Sequence, residues 1–410
     1  MILLIIGIFI WLFLNRKDIL NPINLFLLSW SLYIGIKYLF QYANGRYYYD
    51  NTLDAIICAT ASFLFGYIII NFLFKRNKKI GAHYLYKEKN IGFKLLFSAI
   101  LLVGSFTCYL FLLGVNIGQI LTDPLAVRWI LGNGGNNLFT QLFLVPLSVI
   151  PVIAFWNINK IKKPVLYVIL LFCFFYFSIL GIRGVIIDWF FSYIAIRSFK
   201  SGSYGLEFNK ILKFVFFAFV VMTTIGIIRF NSQTESKVDL TEIDKSESLN
   251  LVTDLFFERL DFLDVLNAYL YKYENGNREL KIPIIPFISN FMPRNFSAEK
   301  LYPTDTQVTH IAGAGYDQEN ITRIVGPIPE LVTIGGKMAI IIWFFLSGAL
   351  FSLLSLKIIL SKTGSLLQRL YSKQLLQVGS LPLFMGINTI FGTQFIIVTA
   401  ISLVTFYILE

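Results

Sequence analysis

Long uninterrupted runs of apolar residues constrain this chain more than any other feature. A stretch of ~17–25 such residues is long enough to cross the hydrocarbon of a bilayer as a helix. Runs of this kind lie near residues 1–14, 22–40, 53–74, 92–115, 138–156, 164–181, 184–197, 211–228, 330–356, 374–390 and 392–409. They predict an all-α polytopic membrane protein with about eleven transmembrane helices. The first run is short, and the seventh spans only with Arg183 and Arg197 at its ends. Met1 to Leu14 is like a signal-peptide core, but no basic region precedes it and Asn15-Arg16-Lys17 follows in place of small residues. It is read as a retained helix with its N-terminus outside.

Composition agrees. Of the 410 residues, 56% are hydrophobic and 14% charged, against roughly 25% charged in soluble domains. Cys58, Cys108 and Cys173 each sit inside an apolar run, which argues against a disulfide framework or a cysteine metal site. The net charge of +11 does not point to nucleic acid, because the basic residues lie in short loops and the largest polar region is acidic.

That polar region, residues 229–325, divides the chain into N-terminal spans (1–228), a loop domain (229–325) and C-terminal spans (326–410). It carries 15 of the 24 acidic residues and only 10 of the 35 basic ones. A connection of this length is functional or disordered, and its apolar content argues for order.

Lysine and arginine in the short loops set the orientation. Alternate loops hold Arg16-Lys17, the cluster from Lys75 to Lys94, Lys160 to Lys163, Arg197 to Lys213, and Lys357 to Lys373. The intervening short loops hold only Arg46, Arg128 and Arg183, a ratio of twenty to three. The basic face is expected to be cytoplasmic, with the 229–325 loop outside and Glu410 inside. Tyr47-Tyr48-Tyr49 and Trp156 are expected in the two interfacial belts. No fixed-period repeat is present, nor an inverted pair of Gly/Pro-broken segments of the kind secondary transporters use.

The candidate chemistry lies at the outer face. Arg128 stands beside Trp129, Arg183 in the tight turn Gly181-Ile182-Arg183-Gly184, and Arg229 at the end of the eighth run. Arg259, Arg294 and Arg323 lie in the large loop. The planar guanidinium fork suits phosphate, while single arginines at helix ends also serve topology. Arg259 shares a helical stripe with Val252, Leu255, Phe256, Leu263, Leu266 and Leu270, in a helix expected over 249–273. Asp254, Glu258 and Asp261 form a separate acidic face. A buried arginine needs a partner: a fixed carboxylate, with Asp188 or Glu330 plausible, or a substrate phosphate. Prolines 283, 286, 293 and 303 forbid a continuous helix, so Arg294 is presented from a loop. His310, the one histidine expected outside, is a candidate proton carrier. Glu330 opens the helix that continues through Gly335-Gly336-Lys337. No zinc spacing, Walker motif or Ser/His/Asp arrangement is visible.

The chain resembles the oligosaccharide repeat-unit polymerases, the O-antigen polymerase (Wzy) family. The resemblance rests on Gly181-Ile182-Arg183-Gly184, Glu258-Arg259-Leu260-Asp261, Met292-Pro293-Arg294 and Glu330 with Gly335-Gly336, set within many helices and one late outer loop. It implies a GT-C-like glycosyltransferase of a bacterial inner membrane, joining undecaprenyl-pyrophosphate-linked oligosaccharide units at the outer face without metal, nucleotide or other cofactor. Arg183, Arg229, Arg294, His310 and Glu330 would serve catalysis. Arg128, Trp129, Arg259, Asp261 and Arg323 would bind substrate. The implied partners are the lipid-linked glycan, membrane lipids and a chain-length regulator of the polysaccharide co-polymerase class. An O-antigen ligase, a flippase for the same glycan and a non-catalytic assembly protein are the alternatives.

Overall fold

The computed structural model describes residues 1–15, 20–45, 48–75, 87–116, 118, 137–179, 183–201, 262–276, 308, 326–361, 363–375 and 393–410. Among these residues every regular element is helical. They are α1 (Ile2–Leu14), α2 (Pro22–Trp30), a π-helical stretch (Ser31–Ile36), α3 (Lys37–Ala43), α4 (Asp50–Lys75), α5 (Gly92–Leu112) and α6 (Asn137–Trp156). There follow α7 (Lys163–Ile179), α8 (Arg183–Lys200), α9 (Phe262–Glu274), α10 (Ile328–Leu360), α11 (Leu366–Lys373) and α12 (Thr393–Leu409). Among the described residues four segments are long and apolar enough to cross a membrane: Pro22–Ala43, Asp50–Phe74, Gly92–Leu112 and Ile328–Ile358. Shorter apolar helices cover Ile2–Leu14, Thr140–Trp156, Lys163–Phe177 and Val398–Leu409. The expected spans at 211–228 and, beyond Leu375, at 376–390 lie outside the described residues.

Two groups of helices make the bundle. In one, α10 packs along α4 and α2, with α1 beside α2. In the other, α6 is central, touching α5, α7, α8, α11 and α12. The helix α11 contacts α8, α12, α6 and α10, and so links the groups.

The α4–α10 contact is the closest. Gly66 faces the Phe345 carbonyl and Gly348 faces the Phe63 carbonyl, leaving no room for a Cβ on either glycine. Between membrane helices there is little hydrophobic drive, so small residues that let backbones approach supply the packing. Phe63 meets Phe351 edge-on at 5.5 Å between centroids, filling the space beside the glycines. Asp54 pairs with Lys337 near the start of both helices, and Tyr67 lies 3.5 Å from Ser355 further along, so the two run parallel.

The two ends of the bundle differ in chemistry. At one, Lys89 and Lys94 donate to the carbonyls of Glu410 and Ile408, each at 2.8 Å, and Arg369 pairs with the Glu410 carboxylate. Lys200 pairs with Glu88 at 2.7 Å beside them. The other end holds α9 and the starts of α4 and α10. Described residues from the loops that sequence assigns to the basic face, among them Glu88, Lys89, Lys200 and Arg369, thus lie at a single end.

Trp156 corrects an expectation. It is fully buried and donates from Nε1 to Ser372 Oγ at 3.3 Å, so it is a core residue, not an interfacial anchor. A buried indole N–H usually finds a partner, and α11 supplies this one.

Candidate functional site

Helix α9 is the one regular element of the large polar segment among the described residues. The helix expected over 249–273 is observed from Phe262 to Glu274, and 249–261 lie outside the described residues. Leu263, Leu266 and Leu270, the expected stripe, are buried, with Val265 and Tyr269 beside them. Each leucine withdrawn from water contributes about 1.5–3 kcal/mol, so the apolar face dominates the docking.

Polar contacts then fix the register. Lys37 pairs with Asp264 at 2.8 Å. Tyr48 donates to the same carboxylate at 2.8 Å, and Asn267 Oδ1 accepts from the Tyr49 amide at 2.7 Å and from Thr52 Oγ1 at 3.1 Å. Glu274 accepts from Tyr49 and from Asn51 Nδ2. That bond to Glu274 holds the Tyr49 phenol above its ordinary pKa. Tyr269 lies 3.0 Å from Thr333 on α10, and burial pushes its phenol up to about 12.

Glu330 lies one turn before Thr333, in the first turn of α10 and 2% exposed. A carboxylate is costly to bury unless it is paired or hydrogen-bonded. Two glycines follow it with non-helical backbone, and Gly336 has φ +59°, a left-handed conformation that favours glycine. They divide α10 into a short piece carrying Glu330 and Thr333 and a long piece packed on α4.

Arg183 is the first residue of α8, as its place in the Gly-Ile-Arg-Gly turn predicts. Arg128, Trp129, Arg229, Arg259, Asp261, Arg294, His310 and Arg323 lie outside the described residues. Below Ile328 is an apolar cavity of about 10 Å³ bordered by Trp30, Thr60 and Phe344, room for no more than a water. No cluster of metal-ligating side chains occurs among the described residues.

A second polar cluster lies inside the bundle, where sequence reasoning did not place one. Sequence assigns Lys373 to a loop of the basic face and offers Asp188 as a partner for Arg259, which lies outside the described residues. The structure instead sets Lys373 and Asp188 3.8 Å apart, with side chains 6% and 9% exposed. At that distance the pair is coulombic and not a hydrogen bond. Ser192 Oγ lies 2.6 Å from the Asp188 carbonyl and 2.7 Å from the Ser372 carbonyl, and its single proton serves one or the other. Gln374 donates to Thr399 at 3.1 Å alongside. The helix that carries Lys373 is polar and short. It starts on Ser365, which accepts from the Gln368 amide at 3.3 Å, while Gln368 accepts from the Gly364 amide at 3.0 Å. A serine followed three residues later by glutamine is a helix-start signal, and it is the clue that could have found α11.

No protein-family model, curated protein or solved structure matches the chain. The case for a function therefore rests on this chain's own residues.

Proposed function

We propose that the protein is a membrane-embedded glycosyltransferase that joins pyrophosphate-linked oligosaccharide units carried on a polyprenyl lipid. The observation that carries the reading is the docking of α9 over the start of α10, with the buried Glu330 beneath it. Helix α9, from the large acidic segment, is anchored over helix starts at the end of the bundle away from Lys89, Lys94 and Lys200, where a lipid-linked substrate would present its head group. Arg183 at the start of α8, with Arg229, Arg259 and Arg294 from the sequence, supplies guanidinium forks for a departing pyrophosphate. Glu330 or His310 would take the proton of the acceptor hydroxyl as the new glycosidic bond forms. The lipid-bound chain is the donor, so no nucleotide is needed. Trp129, Arg128, Asp261 and Arg323 are proposed to hold the sugars and phosphates, and a chain-length regulator of the polysaccharide co-polymerase class is the proposed protein partner. The proposed setting is the outer face of a bacterial cytoplasmic membrane.

Reconstitution with a defined lipid-linked unit tests the reading. A ladder of products is expected. Arg183→Ala should abolish it with the protein still folded, and Arg183→Lys should restore little. Transfer of a single chain to lipid A core would assign a ligase, and movement of the lipid across the bilayer without new bonds a flippase.

A further inference from the structure

We propose that the lysine-rich platform where the segment before α5 meets the α6–α7 turn is a binding surface for the phosphate head groups of anionic phospholipids. The platform is built. Glu88 accepts from the Asn159 amide at 2.9 Å and from Asn159 Nδ2 at 2.7 Å, and the Lys89 amide donates to Asn157 Oδ1 at 2.8 Å. A methyl on Gly92 would come within 3.0 Å of Ile161, so the two segments are also in close apolar contact.

Charge on this platform is unbalanced. The acids that meet it among the described residues, Glu88 and Glu410, are already taken, the first by Lys200 and Asn159 and the second by Arg369. Lys87, Lys160, Lys162 and Lys163 are exposed, and among the described residues their ammonium groups have no hydrogen-bond or ion-pair partner. Four such cations within a few residues of one laced contact make a positive surface that attracts anions.

The surface beside them says which anion. Phe93, one residue past the start of α5, is 70% exposed, and Tyr167, in the second turn of α7, is 59% exposed. Leu171 and Phe97 continue the same exposed apolar flanks. A molecule that satisfies the lysines must also cover large apolar side chains immediately beside them. A phospholipid does both, with phosphate at the lysines and acyl chains along α5 and α7. A soluble acidic protein or a free phosphate would leave the apolar flank uncovered. The inference depends on neither the proposed reaction nor the direction in which the chain is inserted.

The test uses the full chain in nanodiscs of phosphatidylcholine doped with spin-labelled phosphatidylglycerol or spin-labelled phosphatidylcholine. A lysine beside an anionic lipid surface contributes roughly a fivefold preference, so wild type should favour the phosphatidylglycerol probe by about fivefold or more. The variant Lys87→Gln/Lys160→Gln/Lys162→Gln/Lys163→Gln should fall below about twofold, with its melting temperature in pure phosphatidylcholine unchanged. If the fourfold variant fails to fold, Lys160→Gln/Lys163→Gln should lose about half of the preference on a logarithmic scale. Inorganic phosphate at millimolar concentration should not displace the probe. Equal probe preference in wild type and variant, no preference in wild type, or displacement by inorganic phosphate would each overturn the proposal.

Discussion

Gly66 and Gly348 face each other's helices across the α4–α10 contact, each against a backbone carbonyl of the other helix. The arrangement is reciprocal, so a side chain on either glycine separates the same two backbones. Gly66→Ala and Gly348→Ala are each expected to cost about 1–3 kcal/mol, the range of overpacked cores. Gly104→Ala, where no atom lies within 4 Å of the added methyl, should be neutral or stabilising by up to about 1 kcal/mol through helix propensity. Thermal melts of the three variants in one detergent compare them directly. Equal melting temperatures for Gly66→Ala and Gly104→Ala would mean the backbones are further apart than described.

The Asp188–Lys373 pair has a different signature. Removing one partner strands a buried charge, at a cost of about 3–5 kcal/mol. Lys373→Met and Asp188→Asn should each lower the melting temperature markedly. The double variant should be more stable than the sum of the two losses predicts, since neither charge is then left alone. Strict additivity in this cycle would show that the two groups do not interact.

Lys37 and Asp264 tie the large polar segment to the bundle. The lysine side chain is buried and the aspartate is 40% exposed, so solvent screens part of the attraction. Lys37→Met is expected to leave the apolar face of α9 docked but to loosen its register, at a cost of about 1–2 kcal/mol. Hydrogen exchange should speed up in Phe262–Glu274 and stay unchanged in α5 and α7. Unchanged exchange in α9 would show that its leucines alone fix its position.

Tyr269 gives an alkaline limit. Its folded pKa is raised from 10.0 to about 12 by burial, so the folded state holds the phenolic proton more tightly than the unfolded chain. The stability tied to that proton is fully present below pH 10 and is lost as pH rises towards 12. Melts of wild type and Tyr269→Phe between pH 8 and 12 should converge in slope below pH 10 and diverge above it, with the phenylalanine variant falling less steeply.

Much of the architecture was legible in sequence, for a simple reason. A membrane helix is defined by length and apolarity, and nine of the eleven runs coincide with described helices to within a few residues. The leucine stripe of α9 was legible too, because a 3.6-residue period survives in a polar context. The long-range polar pairs were not. Lys37 sits within an apolar run, and nothing near it in sequence points to Asp264, far along the chain, as its partner. Lys373 was read as a loop charge because Leu366–Lys373 is too short and polar to register as a span. Trp156 was read as an anchor because aromatic position alone does not reveal what covers the ring. Of the candidate site, Glu330 and Arg183 are placed on helix starts as expected, and the remaining residues belong to stretches outside the described ones.

The parallel course of α4 and α10 has an electrostatic consequence. Each helix carries a macrodipole equal to roughly half an elementary charge at either end. Antiparallel neighbours would cancel these, but parallel ones add, so the starts of α4 and α10 together bring about one elementary positive charge of backbone origin to the end beneath α9, offset in part by the C-terminus of α3 at the same end. Aligned dipoles repel, and the chain answers with carboxylates. Asp50 lies in the first turn of α4 and Glu330 in the first turn of α10, and Asp264 and Glu274 are brought to the same end by α9. The carboxylates that α9 carries are thus matched to the helix starts they cover.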